Sequence, residues 1–550
     1  MSHQRNGQKS QSEVSLGRNL PCLNSFLRPA IVLRQNQLWL ALAIITGIGA
    51  GLRTIEVFSS AGVYGDGGLF AVMISDLYQA GGVLPLHSSF NGGTIPFAYP
   101  PLMLYIGAAL EGLGAGQMMI LRLLPLFFSI LTIPAVYLSA KALSRDCRLA
   151  LVATFVWAVF PLSYHSLVMG GGLTRSPGQL FALLAIWQGI RIITARPGPG
   201  KRAVFLCGLF VGLGALCHPE PPVLVFASLG ALWLVLGARL QTLRPLALSA
   251  LIAIMVASPY LVLTIERFGP GVFLSALETN QDFFHRTLSP LIVILVYPLA
   301  LPIFPALGMG LGLWSRLRKK DLAVPAMLLS MFLLDYRASS AFAVFGLGLL
   351  VAYALRTLVS AFHASVKKYT WPQLGRGLSW ALPVILLVAG LGADMLPSAP
   401  MDNGLNEADL SALSALSSQA PAGTLMVSVP GISEINDNLS EWLPAYADVR
   451  NLAVGQGLEW TTDDSSARTG QLDRGLVNCS QQGGACLQAV LFTYGVAPKS
   501  VWIYLLGPGS ASSDGRDDCA PLRAALLSDS SYRLIYDGPG ATIFAPKSSY

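Results

Sequence analysis

The chain has 550 residues, of which 53% are hydrophobic and 12% are charged, and its formal net charge is +7. Soluble domains carry about 25% charged residues, so a soluble fold of this length could not bury so much apolar side chain. The composition therefore predicts a membrane protein. Lysine and arginine are dispersed over short loops, which excludes a nucleic-acid-binding stripe as the reason for the positive charge.

The amino-terminal residues 1–36 are polar and basic, and they predict a cytoplasmic tail without a cleavable signal peptide. Eleven apolar stretches follow, and a membrane-spanning helix needs about 20 such residues. The sequence therefore predicts a polytopic α-helical membrane domain over 37–397 with about 11 transmembrane helices. These stretches are 37–57, 118–141, 149–168, 178–195, 203–217, 222–238, 245–264, 290–313, 322–334, 339–358 and 378–396.

The basic clusters fall in alternate connections between these stretches, and cytoplasmic loops carry such clusters. Segment 101–113 is also apolar, but counting it as a span would place the later clusters outside. We therefore predict a short helix there, within a first large outer loop at 58–117. An odd number of spans then leaves residues 398–550 outside the cytoplasm. The other loops hold only isolated arginines, among them Arg53.

Residues 398–550 are rich in Ser, Asp, Gly and Asn, and strand-like and helix-like runs alternate in them. This pattern predicts an extracytoplasmic α/β domain that ends in a β-hairpin over 532–545. Outside the cytoplasm, Cys479 and Cys486 could form a disulfide across a short loop, and the sequence leaves that open. Two Glu-Trp pairs, at 441–442 and 459–460, indicate either core tryptophans or a surface that stacks on a sugar.

The first outer loop carries an acid between glycines, Asp66 in the run Tyr-Gly-Asp-Gly-Gly at 64–68. Apolar residues at helical spacing follow it and predict an amphipathic helix that lies in the membrane interface, apolar side down. The spaced residues are Leu69, Phe70, Met73, Ile74 and Leu77. Asp66 is interpreted either as the N-cap of this helix or as a general base or cation ligand at the headgroup level.

Three further polar stretches lie near predicted outer helix ends. The run Ala-Tyr-Pro-Pro-Leu at 98–102 opens a helix and predicts that Tyr99 and Tyr105 face headgroups or a sugar. In the predicted second outer loop, 169–177, three glycines at 170–172 let the backbone approach a ligand closely and precede Arg175, which is suited to phosphate. A turn with a snorkelling arginine is equally compatible.

Ionisable side chains at the predicted outer ends of helices are the remaining candidate site residues. His218 and Glu220 lie in a proline-rich turn, where they could orient one another, join Asp66 around a divalent cation, or form a plain interfacial turn. Arg337 could hold a lipid phosphate or pair with Asp335.

The chain resembles the GT-C superfamily in four features taken together. These are the single basic-flanked span, the long outer loop with an early acid, the Tyr-Pro-Pro-Leu run and the polar carboxy-terminal region. Members of this superfamily are integral-membrane glycosyltransferases that use polyprenyl-phosphate-linked sugars. More narrowly, the chain is similar to prokaryotic relatives of the protein mannosyltransferase and aminoarabinose transferase group. The resemblance implies location in the prokaryotic cytoplasmic membrane, Asp66 as base or metal ligand, and Arg175 or Arg337 as the phosphate-binding residue.

The chain also departs from that pattern. Gly67 and Gly68 follow the acid where the family has a second acid, the second outer loop has no Asp-x-Asp, and there is no Trp-Trp-Asp. Metal dependence and transfer to protein therefore stay open.

The resemblance predicts transfer of a sugar from a polyprenyl phosphate to a lipid, glycan or protein acceptor at the outer face, with Asp66 as base. The alternatives are a transporter or flippase of lipid-linked saccharide and a non-catalytic glycan-binding protein of the cell envelope.

Overall fold

The structure is a computed structural model, and it describes residues 35–59, 63, 65–196, 198–278, 303–334, 336–366, 405–430, 438–510, 515 and 517–547. The amino-terminal tail, the predicted span 378–396 and most of the predicted span 290–313 lie outside these residues.

The described residues up to 366 are mostly helical. Four stretches in the described ranges are long and apolar enough to cross a membrane: Gln35–Ser59, Gln117–Ser144, Leu240–Phe268 and Ala341–Ala361. This supports a helical membrane protein, and the count of 11 spans stays a prediction. The helices are α1 Gln35–Ser59, α2 Gly67–Gln79, α3 Leu102–Gly112, α4 Gln117–Ser144, α5 Cys147–Val159, α6 Gly172–Thr194, α7 Lys201–Cys217, α8 Glu220–Val235, α9 Leu240–Phe268, α10 Gly271–Glu278, α11 Ile303–Arg318, α12 Ala323–Leu334 and α13 Tyr336–Val366.

The predicted span 149–168 is wrong in its second half. Helix α5 ends at Val159, and two short 3-10 turns, Pro161–Ser163 and His165–Leu167, follow it. The cause is Pro161, because a residue before proline is biased out of the helical region. Phe160 accordingly has an extended backbone, with φ −80° and ψ 116°. The turns carry the chain to the glycines before α6.

Arg53 lies inside α1 and is fully buried, so its prediction as an isolated outer-loop arginine is wrong. Its guanidinium donates hydrogen bonds to the carbonyl oxygen of Ala158 at 2.7 Å and to the hydroxyls of Ser129 and Ser163. The ring of Tyr164 lies 4.3 Å from the guanidinium carbon. A buried charge needs such partners, and here they fasten α1 to the turn that leads to the second outer loop.

The first outer loop forms the two short helices that the sequence predicts, α2 and α3. Helix α3 has 11 residues, too few for the roughly 30 Å hydrocarbon layer. The prediction that α2 lies apolar side down on lipid is wrong, because protein covers that face. Its five spaced apolar side chains are at most 1% exposed and share a core with α3 and residues of the 405–547 region.

The described residues between 405 and 547 form a five-stranded sheet with flanking helices, called here the sheet unit. The strand order is β2-β1-β3-β5-β4; β1 pairs in parallel with β2 and β3, and β5 pairs antiparallel with β3 and β4. The elements are α14 Glu407–Gln419, β1 Leu425–Val429, α15 Asn438–Ala447, β2 Arg450–Asn451, α16 Ser465–Gln482, α17 Gly484–Thr493, β3 Trp502–Leu506, α18 Ala520–Ser528, β4 Tyr532–Asp537 and β5 Ala541–Pro546.

The predicted hairpin is present as β4 and β5, and Cys479 is disulfide-bonded to Cys486. The domain boundaries and the extracytoplasmic position of the sheet unit stay predictions. The unit is joined to the first outer loop: the Asn91 side chain donates to the Asn451 carbonyl at 3.0 Å and accepts from its N–H at 2.7 Å. Helix α15 packs on α2.

Candidate active site

The two outer loops meet at Asp66. The N–H of Gly171 donates a hydrogen bond to the carbonyl oxygen of Gly65 at 2.5 Å. A Cβ at Gly171 would lie 3.0 Å from Asp66 Oδ2 and 3.4 Å from the Gly65 oxygen. Only glycine lets the backbone approach the carboxylate this closely without displacing it. The glycine run of the second loop thus packs on Asp66.

Arg175, in the first turn of α6, faces the Asp66 carboxylate. Its Nη2 lies 3.9 Å from Asp66 Oδ2, and the two side chains are 40% and 31% exposed. The distance exceeds a direct hydrogen bond, so the two groups face each other as an ion pair without being locked together. An acid and a guanidinium at one partly open position can act on a hydroxyl and a phosphate together.

Asp66 occupies the N-cap position of α2, but its side chain makes no capping hydrogen bond. Glu441 of the sheet unit does this instead: its Oε1 accepts from the Leu69 N–H at 3.2 Å. The adjacent Trp442 indole donates to the Val63 carbonyl oxygen at 2.9 Å. The N-cap interpretation of the Asp66 side chain is therefore wrong, because a carboxylate from a remote segment occupies the cap.

Close packing explains why Gly67 and Gly68 stand where the family pattern has a second acid. A Cβ at Gly67 would lie 2.7 Å from the Trp442 ring, and one at Gly68 would lie 2.6 Å from the Glu441 carbonyl oxygen. Neither position has room for an aspartate. The departure from the family pattern at these positions therefore accompanies close docking of α15 on the start of α2.

Tyr99 is 8% exposed, so it does not face lipid headgroups, and a contact with a sugar stays a prediction. Its hydroxyl donates a hydrogen bond to Glu459 Oε1. Its ring packs 5.2 Å from Phe70 and 4.9 Å from Trp460. Tyr99 therefore joins the first outer loop to the sheet unit.

Three groups around Asp66 have raised pKa values: Glu441, Glu459 and Tyr99. Burial, and then the charge of Asp66, raise the pKa of Glu441 well above its ordinary value. Burial also raises the pKa of Glu459, against the hydrogen bond from Tyr99, which lowers it. Burial, followed by the charges of Glu459 and Asp66, raises the pKa of Tyr99. The protonated forms of these three groups are favoured around Asp66.

The turn before α8 completes the cluster. His218 Nδ1 lies 3.5 Å from Glu220 Oε2, and a Cβ at Gly178 of α6 would lie 3.6 Å from His218 Cβ. The charges of Asp66 and Glu220 both act on the Arg175 guanidinium. The structure therefore places the His218–Glu220 pair beside α6, where the charge of Glu220 reaches the Arg175 guanidinium.

The other two predicted residues stay predictions. Tyr105 lies on α3 and is 39% exposed, and no described side-chain contact links it to Asp66 or Arg175. The backbone of Arg337 lies in the first turn of α13, and its side chain lies outside the described residues.

A divalent cation held by Asp66, His218 and Glu220 stays a prediction. Within the described ranges no group of three His, Cys, Asp or Glu side chains could hold a metal ion. The guanidinium of Arg175 is subject to the charges of both carboxylates, and its positive charge opposes a cation beside it.

Sequence reasoning missed three residues. Glu441 and Glu459 were noticed only as neighbours of tryptophan; both tryptophans are 3% exposed, as a core interpretation predicts. Gln179 is 2% exposed, and neither amide atom has a hydrogen-bond partner among the described residues. It follows Arg175 by four positions, so the two lie on one face of α6, and this spacing is the signal that was available.

Comparison with known proteins gives a fold. No protein-family model and no curated protein matches the sequence. The structure of ArnT from Cupriavidus metallidurans bound to undecaprenyl phosphate is similar, with a TM-score of 0.53 and 14% identity over 94% of this chain and 98% of that one. The structure of the archaeal oligosaccharyltransferase AglB from Archaeoglobus fulgidus, in complex with an inhibitory peptide and a dolichol-phosphate, is also similar. Its TM-score is 0.55, with 14% identity over 94% of this chain and 75% of that one.

Both of these proteins are glycosyltransferases of the GT-C class. ArnT in the apo state gives a TM-score of 0.52 at 13% identity over 92% of this chain. At such identities the likeness establishes the fold alone. The chain therefore shares the helical fold of these proteins, as the resemblance in its sequence predicts.

Proposed function

We propose that the protein is a glycosyltransferase that moves a sugar from a polyprenyl-phosphate carrier to an acceptor hydroxyl of a lipid, glycan or protein. The observation that carries this proposal is the Asp66–Arg175 pair, 3.9 Å apart, where the two outer loops of a GT-C fold meet. The bound undecaprenyl phosphate of ArnT and the dolichol-phosphate of AglB support a lipid phosphate as the donor's carrier.

In the proposed reaction the acceptor oxygen attacks the anomeric carbon, and the bond from that carbon to the phosphate oxygen breaks. The hydroxyl proton passes to the Asp66 carboxylate, and polyprenyl phosphate leaves with the bonding electron pair. Arg175 stabilises the charge that develops on the phosphate, and such stabilisation is usually the largest catalytic contribution. Proton transfer to a positioned base adds about 10²–10⁴-fold.

His218 and Glu220 orient the guanidinium of Arg175, in this proposal, and Gln179 extends the binding surface one turn along α6. A side chain on a helix leans towards the helix N-terminus, so the Gln179 amide leans towards the turn of Arg175. An unpaired buried amide costs stability, and a polar group of the donor that reached it would remove that cost. Tyr105 and Arg337 remain proposed contacts to sugar and phosphate.

We place this site on the outer face of the prokaryotic cytoplasmic membrane, with 11 spans and the sheet unit outside the cytoplasm. Two observations support that side. The basic clusters fall in alternate loops, away from the Asp66 loop. The sheet unit also holds the disulfide between Cys479 and Cys486, and disulfides persist in oxidising compartments.

The test uses the full-length protein in proteoliposomes with a labelled polyprenyl-phosphate sugar and membrane acceptor extract. We expect the wild type to release polyprenyl phosphate and form a labelled product. Asp66→Asn should reduce this rate at least about 10²-fold while the protein stays folded. Asp464→Asn, at an exposed position of the sheet unit, is the matched control and should leave the rate unchanged. Undiminished transfer by Asp66→Asn would remove Asp66 from the mechanism.

A further inference from the structure

Two carboxylates, those of Asp66 and Glu441, lie at the start of α2, where either could accept hydrogen bonds from free backbone N–H groups. An aspartate at an N-cap ordinarily accepts a hydrogen bond from the first free backbone N–H groups of its helix. Here Asp66 holds the N-cap position, yet the Leu69 N–H donates to Glu441 Oε1 at 3.2 Å. Glu441 is fully buried and comes from α15, 372 positions along the chain from Leu69.

The backbone of Asp66 fits this division. N-cap residues usually have an extended backbone, whereas Asp66 is left-handed, with φ 53° and ψ 9°. Its carboxylate lies towards Gly171 and Arg175, and away from the cap. The cap and the candidate base are thus two different acids at one helix end.

We propose that Glu441 is a positioning residue for Asp66: it caps α2 from the sheet unit and so leaves the Asp66 carboxylate directed at Arg175. The effect of this positioning on catalysis rests on the proposed transferase function. The contact also makes the sheet unit part of the active-site architecture, because Glu441 and Trp442 together bind the backbone on both sides of Asp66.

Glutamine is a conservative replacement for Glu441. Burial and the Asp66 charge favour the protonated form of Glu441, and an amide has the same shape and still offers an oxygen to the Leu69 N–H. Alanine removes the cap, and Asp66 is then the nearest acid that can take it over. Asp66 would turn from Arg175 towards the helix.

The first experiment measures transfer by Glu441→Gln and Glu441→Ala. We expect Glu441→Ala to lower kcat about 10²-fold, the size of effect that a small misplacement produces, with the donor KM changed less than about threefold. Glu441→Gln should retain at least about a third of the wild-type rate. Because Glu441 acts through Asp66, adding Glu441→Ala to Asp66→Ala should lower the residual rate less than about twofold. Equal losses in both backgrounds would overturn the proposal.

The second experiment needs no transferase activity. We expect Asp66→Ala to lower the thermal unfolding midpoint more in the Glu441→Ala background than in the wild type, because only there does Asp66 serve as the cap. The strain of alanine at a left-handed position is the same in both backgrounds and cancels. Equal decreases would overturn the cap exchange. If the wild type transfers no sugar, the proposed function fails. The comparison of unfolding midpoints still tests whether Glu441 caps α2 in place of Asp66.

Discussion

The N–H of Gly171 donates to the carbonyl oxygen of Gly65 at 2.5 Å, and this hydrogen bond joins the second outer loop to the residue before Asp66. The predicted glycine run therefore packs on the candidate base, and Arg175 follows it into α6 on the same side. This junction explains how residues of two separate loops come to face one substrate.

Replacement of Gly171 by valine should displace Asp66. The backbone at this position, φ −54° and ψ −20°, accepts any residue, so the effect is steric: a Cβ would lie 3.0 Å from Asp66 Oδ2. We expect transfer to fall about 10²-fold with the protein still folded. Gly455→Val is the control, because a Cβ there meets nothing within 4 Å. Equal activity of the two variants would contradict the proposed packing.

Replacement of Gln179 by leucine should weaken donor binding. The variant keeps the shape and removes both amide atoms, so we expect an increase of about tenfold in the donor dissociation constant, since a lost polar contact costs about 1–3 kcal/mol. Gln188→Leu is the matched control: it is buried, lies about two and a half turns further along α6 on the opposite face, and accepts from Arg191. Titration of a fluorescent polyprenyl-phosphate sugar measures both dissociation constants; equal effects would exclude Gln179 from the site.

The contribution of Glu459 to the stability of the protein should fall as pH rises above the ordinary glutamate pKa. Burial raises the pKa of Glu459 above 4.5, so the folded protein keeps a proton that the unfolded chain has lost. The stabilisation is complete below 4.5 and is lost as pH rises through the raised pKa. Glu459→Gln lacks this titration.

We therefore expect the unfolding midpoint of Glu459→Gln to fall less than that of the wild type over this pH window. Tyr99→Phe should extend the window upward, because the hydrogen bond it removes lowers the pKa of Glu459. Parallel pH profiles for wild type and Glu459→Gln would contradict the assignment.

The first outer loop should be reached by reagents from outside. Val83 is 66% exposed in this loop, and Lys319 is exposed in a basic cluster predicted to be cytoplasmic. In intact cells a membrane-impermeant thiol reagent should label Val83→Cys, and it should label Lys319→Cys only after the membrane is opened. The reverse pattern would place the site on the cytoplasmic side.

Local sequence patterns predicted the parts of the site that depend on local features. The apolar spacing after Asp66 predicted α2, and Pro100 and Pro101 predicted the start of α3. Glycines before Arg175 indicated a close backbone approach to a ligand, and Gly171 makes such an approach to Asp66 instead. What the sequence did not predict are contacts between distant segments. Glu441 and Leu69 lie 372 positions apart, and no periodicity links them.

The same limit explains the wrong surroundings of α2. Its amphipathic pattern specifies that one face is buried, but not whether lipid or protein buries it. Tyr99 was misplaced for the same reason, because its partner Glu459 is 360 positions away.

The central claim is that the Asp66–Arg175 junction receives a lipid-borne sugar phosphate. Photocross-linking in membranes with a polyprenyl phosphate that carries a diazirine beside its phosphate tests this most directly. We predict cross-links on residues 65–66 and 171–179 that excess unlabelled polyprenyl-phosphate sugar abolishes. Cross-links confined to other segments, or insensitive to this competitor, would contradict the account.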